Sequence, residues 1–409
     1  MATFKNIESL GALEGKRVLV RADLNVPMSV SEDGERTITD DTRIQSVTPT
    51  IKALASQGAR VIVLSHFGRP QGMRNMEMSL EPIGQSLANT TRLPVSYIDD
   101  CIGDEVVEII DALENGAVLL LENVRFYAEE TKNDAEFSAK LAKNADFFVN
   151  DAFSCCHRAH ASTVGIAKIL PSAAGLALEK ELVALENALG SPIHPVAALV
   201  GGAKVSTKLD VLTHLVEKVD HLIIGGGMAN TFLAAQGIDV GASLCEHDLT
   251  STAIGILDNA AANDCVIHLP TDVVVAKEFA NNAPNRITST SDVASDEMIL
   301  DVGPESSKDV SAALEECKTL IWNGPMGAFE IEPFDTATVS VAVKAGDLTE
   351  DGTLISVAGG GDTVAALNHA GVADKFTHIS TAGGAFLEWM EGKKLPGVEV
   401  LLAQNISLS

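Results

Sequence analysis

Four short polar segments carry side chains suited to holding an anion. They are Asp23, Asn25 and Pro27 in RADLNVP; Ser65, His66, Gly68 and Arg69 in SHFGRP; Glu122, Asn123 and Arg125 in ENVRF; and Asn150, Asp151, His157, Arg158 and His160 in NDAFSCCHRAH. Arg43, in DDTRI, follows a loop and opens a helical pattern. A guanidinium group gives forked hydrogen bonds to phosphate and carboxylate oxygens, so Arg and His gathered at one edge suit a small, multiply charged anion. Any one of these arginines alone reads as a solvated surface residue; their recurrence behind three of four candidate strands is what points to a site. A second set of segments is rich in glycine: Gly201-Gly202-Ala203-Lys204, Gly225-Gly226-Gly227, Asn323-Gly324-Pro325-Met326-Gly327, Gly359-Gly360-Gly361-Asp362-Thr363 and Gly383-Gly384. Glycine lets backbone approach a ligand closely, and a helix starting just after it offers free N–H groups and partial positive charge to a phosphate. One such turn is equally an ordinary β-α turn; five in series predict a nucleotide cleft. Asp362 suits a Mg²⁺ that bridges to phosphate oxygens, with N-capping of a helix as the alternative role.

These segments follow short apolar runs. In the first half the strand candidates are 17–21 (RVLVR), 60–64 (RVIVL), 118–121 (VLLL) and 147–149 (FFV). In the second half they are 196–200, 221–224, 264–268, 319–322, 353–357 and 377–380. Continuous apolar runs alternating with helical periodicity predict strands covered on both faces, hence an α/β protein with parallel sheets built from β-α-β units. Ligands of such sheets bind outside the carboxyl ends of the strands, where the polar and glycine segments fall. The stretch 179–189 (EKELVALENAL) reads as an exposed amphipathic helix, stopped by Gly190-Ser191-Pro192, and marks the junction between the two series.

Familiar phosphate fingerprints are absent. There is no GxxxxGK[ST], so Lys204 is not a Walker-type lysine, and no GxGxxG followed by an acidic residue at ribose distance. His157-Arg158 is followed by Ala159, unlike the catalytic loop of protein kinases. Cys155 and Cys156 are adjacent and lack a second cysteine pair at ligand spacing, which argues against zinc. The six cysteines read as reduced thiols, mostly buried.

The chain has 409 residues, enough for two or three domains, and a formal charge of −27. So acidic a chain has no footprint for nucleic acid or an anionic membrane. The basic residues are uneven: ten of the eleven arginines stand at or before Arg158. No apolar run nears the ~20 residues of a membrane span, and MATFKNIESL lacks a signal-peptide core, so the expectation is a cytoplasmic protein.

Together the motifs RADLNVP, SHFGRP, LENVRF, VNDAF…HRAH, GGAKVSTKLDVL, GGGMANTF, DVGPESS, WNGPMGAFE, GGGDT and TAGGAFLEWMEG…LPGVEVL resemble phosphoglycerate kinases, in the family's order over nearly the whole chain. The resemblance implies reversible phosphoryl transfer between 1,3-bisphosphoglycerate and MgADP, giving 3-phosphoglycerate and MgATP. It implies two doubly wound, Rossmann-like parallel-sheet domains. Residues 1–178 would bind phosphoglycerate, 179–190 form the interdomain helix, 191–391 bind the nucleotide, and 392–409 return to the first domain. Asp23 and Asn25 resemble the family's ligands of the glycerate hydroxyl and carboxylate, His66, Arg69, Arg125 and Arg158 its basic patch for the non-transferred phosphate and the substrate as a whole, and Leu24, Phe67 and Gly68 further substrate-binding positions. Arg43 and Lys204 resemble the pair at the transferring phosphoryl, and Lys208 a nucleotide-phosphate ligand. Gly225 and Gly226 would lie beside adenine, and Glu330 at the ribose. Gly360, Gly361 and Thr363 would form the phosphate turn, and Asp362 would hold Mg²⁺. Ala382 stands where the family usually has glycine, which is tolerable if its φ is negative. The family further implies a monomer that closes by hinge bending about 179–189. A dehydrogenase would need one strong dinucleotide fingerprint, and a non-catalytic anion binder would dispense with Lys204 and Asp362.

Overall fold

The computed structural model describes residues 4–31, 33–34 and 36–403. The described chain gathers into two compact units, one built from the residues up to Leu182 together with those from Lys394 onward, the other Val183–Lys393.

In the first unit the chain runs through β1 (Arg17–Arg21), the hairpin β2 (Met28–Val30) and β3 (Arg36–Ile38), α1 (Thr42–Ser56), β4 (Arg60–Leu64), α2 (Glu81–Thr91), β5 (Val95–Tyr97), α3 (Asp104–Asp111), β6 (Val118–Leu120), α4 (Ala135–Ala142), β7 (Phe147–Asn150), β8 (Ser172–Ala174) and α5 (Leu176–Leu185). Its sheet is parallel throughout, in the order β5-β6-β4-β1-β7-β8. The uninterrupted apolar run of β1 has a direct cause in its two-sided burial. Val18 and Val20 point into a core with Ile44, Ile51 and Leu54 of α1, while Leu19 points into the opposite core with Leu141 and Phe148. Each such side chain, fully withdrawn from water, contributes roughly 1.5–3 kcal/mol. Asp151, just past β7, caps α5: its Oδ1 accepts from the N–H groups of Ala177 (2.9 Å) and Leu178 (3.1 Å). The helix ends in a π-turn over Glu186–Gly190, so the chain passes from the first unit to the second within a continuous helical segment.

The second unit comprises β9 (Val196–Val200), α6 (Leu209–Leu215), β10 (His221–Ile224), α7 (Gly227–Ala235), α8 (Thr250–Ala262), β11 (Val266–His268), β12 (Asp272–Ala276), β13 (Asn285–Ser289), β14 (Met298–Val302), α9 (Pro304–Glu316), β15 (Thr319–Asn323), α10 (Thr336–Glu350), β16 (Ile355–Gly359), α11 (Gly361–His369), β17 (His378–Ser380) and α12 (Gly383–Met390). Its main sheet is also parallel, in the order β11-β10-β9-β15-β16-β17. A last helix, α13 (Pro396–Ala403), belongs to the first unit, where the Gly397 N–H donates to the carbonyl of Cys156 at 2.9 Å. Of the segment 392–409, residues 404–409 lie outside the described part.

The expected α/β class with two doubly wound sheets is what the chain forms. The sequence reading lacks three features: the short strands β5 and β8, the β2-β3 hairpin, and an antiparallel sheet in the order β13-β12-β14. The strand expected at 353–357 is displaced by two residues, to Ile355–Gly359. All six cysteines are free and five are buried. Among the described residues no helix is long and apolar enough to cross a membrane. Strand order reverses direction between β1 and β7 in one sheet and between β9 and β15 in the other, which are the places where open α/β sheets present ligand crevices.

Candidate active site

At the first of these switch points the ends of β1, β4, β6 and β7 deliver a polar frame. Asp23 Oδ1 accepts from the Asn25 N–H (3.1 Å) and from Arg43 Nη1 (3.0 Å), while Oδ2 accepts from the hydroxyl of Ser154, beyond β7. Arg43 is the second residue of α1, and its Nη1 also donates to the Asn25 carbonyl at 3.0 Å. Asn25 Oδ1 accepts from the Gly68 N–H (2.8 Å), and the Leu24 N–H donates to Ser65 Oγ (2.9 Å), which ties the β1 and β4 loops together. Asn123, after β6, accepts from the N–H groups of Phe67 (3.2 Å) and Arg125 (3.0 Å). Arg125 Nη1 in turn donates to the Gly68 carbonyl at 2.8 Å. One hydrogen-bonded frame therefore joins Asp23, Leu24, Asn25, Arg43, Phe67, Gly68 and Arg125. Arg69 and Arg158 are exposed and, among the described residues, are not bonded to it; Arg158 Nε donates to the neighbouring His157 Nε2 at 3.1 Å.

His66 joins the frame through a residue that the sequence reading left out. Arg21 closes β1 with no exposed surface, and its Nη2 lies 3.1 Å from His66 Nδ1. A guanidinium can only donate, so Nδ1 is the acceptor and the proton of the neutral ring sits on Nε2. Burial first, and then the Arg21 charge, hold His66 well below the ordinary histidine range, with Asp23 pulling the other way. For Asp23, burial opposes ionisation but is outweighed by the Arg43 charge, the Ser154 hydroxyl and the Asn25 N–H, so the carboxyl stays below its usual range. Behind Arg21, Ser162 Oγ accepts from Arg21 Nε at 2.9 Å and donates to Glu130, which is fully buried and also accepts from the Ser162 N–H at 2.9 Å. His160 stands 3.7 Å from Glu130 and is pushed down to about 4, chiefly by burial and then by Arg21. Arg21 is overlooked in the sequence because it reads as the last residue of a strand; a charge ending an otherwise apolar run is the signal that marks it.

At the second switch point β9 and β15 meet through Lys208. Its Nζ donates to the carbonyls of Gly201 (2.7 Å) and Asn323 (3.0 Å) and to Asn323 Oδ1. Burial pushes this ammonium down to about 8, against the pull of the Asp362 carboxylate. Gly226, with φ of 68°, is the N-cap of α7, and a side chain there would meet the Gly202 carbonyl at 2.7 Å, so glycine is required. Gly360, with φ of 98°, is the N-cap of α11 and packs so near Asn323 Nδ2 that a Cβ would stand 2.7 Å from it. Gly361 and Asp362 are exposed in the first turn of α11, and Thr363 is buried, its Oγ1 accepting from the Gly324 N–H at 2.7 Å. Ala382, the N-cap of α12, has φ of −105°, so the methyl that departs from the family pattern causes no backbone strain. The Lys204 carbonyl accepts from Thr207 Oγ1 at 2.8 Å, while its exposed side chain makes no hydrogen bond or ion pair among the described residues.

A mainly apolar cavity of about 380 Å³ opens beside these turns. Gly202, Gly226, Met326, Glu330 and Asp362 line it on the side of the parallel sheet, and Val273, Met298 and Leu300 of the antiparallel sheet line the other. Its size is that of a small-ligand site. Gly225 stands behind it, so close to Met326 Cα that a Cβ would be 2.8 Å away. No group of three or more metal-ligating side chains occurs among the described residues. The single exposed carboxylate of Asp362 at a helix N-terminus fits a Mg²⁺ that arrives with phosphate oxygens better than it fits a closed protein cage.

The sequence model for "Phosphoglycerate kinase" matches residues 7–393. The chain is 63% identical over 400 residues to a phosphoglycerate kinase of Zymomonas mobilis subsp. mobilis, covering 98% of this chain and 100% of that protein. Among solved structures, that of phosphoglycerate kinase from Coxiella burnetii is 41% identical with a TM-score of 0.90, covering 98% of this chain and 100% of the other. The enzyme from Pyrococcus horikoshii OT3 is 32% identical with a TM-score of 0.80, covering 98% and 99%. A match that spans both sheets and both sets of turns at this identity leaves no other assignment: the chain belongs to the phosphoglycerate kinase family.

Proposed function

We propose that the reaction of this family, reversible phosphoryl transfer from 1,3-bisphosphoglycerate to MgADP giving 3-phosphoglycerate and MgATP, is divided between the two units. The observation that carries this division is the hydrogen-bonded frame of Asp23, Asn25, Arg43, Gly68 and Arg125 at the end of the first sheet. Asp23 and Asn25 hold the glycerate hydroxyl and carboxylate. His66, presenting Nε2–H, and Arg69, Arg125 and Arg158 hold the non-transferred phosphate and the substrate as a whole, with Leu24, Phe67 and Gly68 as further substrate-binding positions. In the second unit Gly225 and Gly226 flank adenine, Glu330 takes the ribose, Lys208 and the turn of Gly360, Gly361 and Thr363 take phosphates, and Asp362 holds the Mg²⁺ that comes with the nucleotide. Bound there, Mg²⁺ would supply positive charge to the nucleotide phosphates. Arg43 and Lys204 meet at the moving phosphoryl.

The chemistry suits these groups. In the ATP-consuming direction the acceptor carboxylate is already ionised at neutral pH, and in the other direction the acyl phosphate is a good donor, so no general base is needed; the requirements are in-line alignment and positive charge that is fixed in advance. Because glycerate and nucleotide are held by different units, transfer demands that they close about α5, as hinge-bending enzymes do to exclude water. We read the protein as a cytoplasmic monomer acting on these small molecules, without nucleic-acid or membrane partners. The test is a coupled assay of ATP-dependent 3-phosphoglycerate phosphorylation with Arg43→Ala and Lys204→Ala. Each is expected to lose about 100-fold or more in kcat, the size seen when a transition-state charge contact is removed. Wild-type turnover in both would sink the mechanism.

A further inference from the structure

Asp301, the fourth residue of β14, lies in the wall of the nucleotide cavity and is only 2% exposed. Its Oδ1 accepts from the Val302 N–H at 2.9 Å and its Oδ2 from the Ala337 N–H, in the first turn of α10, also at 2.9 Å. One carboxyl group thus spans from the antiparallel sheet to the helix that follows the cavity loop. The loop hangs between the same two elements: the Met326 N–H donates to Thr338 Oγ1 at 3.0 Å and the Ala328 N–H to the Leu300 carbonyl at 2.8 Å. Gly327 packs directly on Asp301, and a Cβ at Gly327 would overlap Asp301 Oδ1. Burial pushes the Asp301 carboxyl up to about 8 in spite of the two donated hydrogen bonds, so the group sits where an apolar residue would be less costly to bury.

We propose that Asp301 is a positioning residue for the nucleotide: it fixes Gly327 and so sets the cavity wall from Met326 to Glu330 that faces the base and ribose. The inference rests on the reading of this cavity as the nucleotide site. In Asp301→Asn the shape is kept, but the amide NH₂ must face one of two backbone donors, leaving that N–H unpaired and the loop loosened. The expected result is a rise of about tenfold in KM for MgADP, the factor that matches one lost buried hydrogen bond, with KM for the glycerate substrate within about twofold of wild type. Asp301→Ser, smaller and with one acceptor, should show the same split. An unchanged nucleotide KM in either folded variant would overturn the inference, and so would failure of both to fold, which would make Asp301 a stability residue. The wild-type assay separates the two levels: a wild-type enzyme that does not use MgADP refutes the reading of the cavity, whereas an active one with an indifferent Asp301→Asn refutes the positioning role alone.

Discussion

Lys208 sets burial against charge at a single atom. Its ammonium donates to Gly201 and Asn323, and burial has brought its pKa from the ordinary lysine value of 10.5 to about 8, with Asp362 pulling the other way. In the free enzyme the positive charge is therefore lost as pH rises through about 8, and with it the attraction for nucleotide phosphate. The sign for stability is opposite: a lysine whose folded pKa lies below the unfolded one makes folding more favourable as pH climbs from about 8 to 10.5, because the neutral form is the one burial tolerates. The expected outcome is an alkaline limb near pH 8 in kcat/KM for MgADP, a parameter that reports free-enzyme ionisation. In Lys208→Arg activity should be lower, since a planar fork does not reproduce the three-acceptor geometry, but the limb should vanish because guanidinium stays charged. A wild-type profile flat to pH 9 would remove Lys208 from the phosphate site. At this scale the sequence is legible where a residue sits in a loop motif, as Lys208 does. It is silent where the residue is disguised by its element, as with Arg21 in β1 and Asp301 in β14.

Among the elements, α5 carries one of the two chain crossings between the units, and its start depends on Asp151. The carboxyl is buried and pushed up to about 7, against the hydrogen bonds that it receives from Thr50, Leu178 and Ala177. Its folded pKa thus exceeds the ordinary aspartate value of 3.8, so the folded state binds the extra proton between about 4 and 7 and stability from this group declines as pH rises across that window. Urea midpoints of wild type and Asp151→Asn should converge or cross between pH 5 and pH 8, with the wild type relatively better at pH 5. Asp151→Ala should lose about 1 kcal/mol for the missing cap. Parallel pH profiles of wild type and Asp151→Asn would show that the carboxyl is ionised throughout. The long strands such as β1, β4 and β9 are readable in the sequence because two-sided burial demands uninterrupted apolar runs. By contrast β5 (VSY) and β8 (SAA) are three residues each at the edges of the first sheet, with too few apolar side chains to stand out. The antiparallel sheet is hidden for another reason: β13 (NRITS) is exposed at four of five positions, so its pairing leaves no hydrophobic pattern. That sheet supplies one wall of the cavity beside the glycine turns, so the sequence points to those turns and not to the cavity's apolar side.

At the scale of the molecule the net charge of −27 and the division into two units act together. So acidic a chain can bind anions only where local groups reverse the field, and on the proposed reading those groups fall in two separate places, the guanidinium frame of the first unit and the helix ends with Lys208 in the second. Each unit also has its own hydrophobic core, built around Val18, Val20 and Leu54 in one and Leu199, Leu320 and Trp322 in the other. Units with separate cores and separate ligands need not unfold as one two-state system. Both tryptophans, Trp322 and Trp389, lie in the second unit, so their fluorescence reports that unit, whereas far-ultraviolet circular dichroism reports both. A ligand at about 100 times its Kd stabilises the unit that binds it by roughly 2.7 kcal/mol. In urea, MgADP should therefore move the tryptophan transition to higher denaturant, while 3-phosphoglycerate should leave it in place and shift part of the dichroism transition. If 3-phosphoglycerate moves the fluorescence midpoint as far as the dichroism midpoint, the two units unfold together. The two units would then share one cooperative free energy of unfolding.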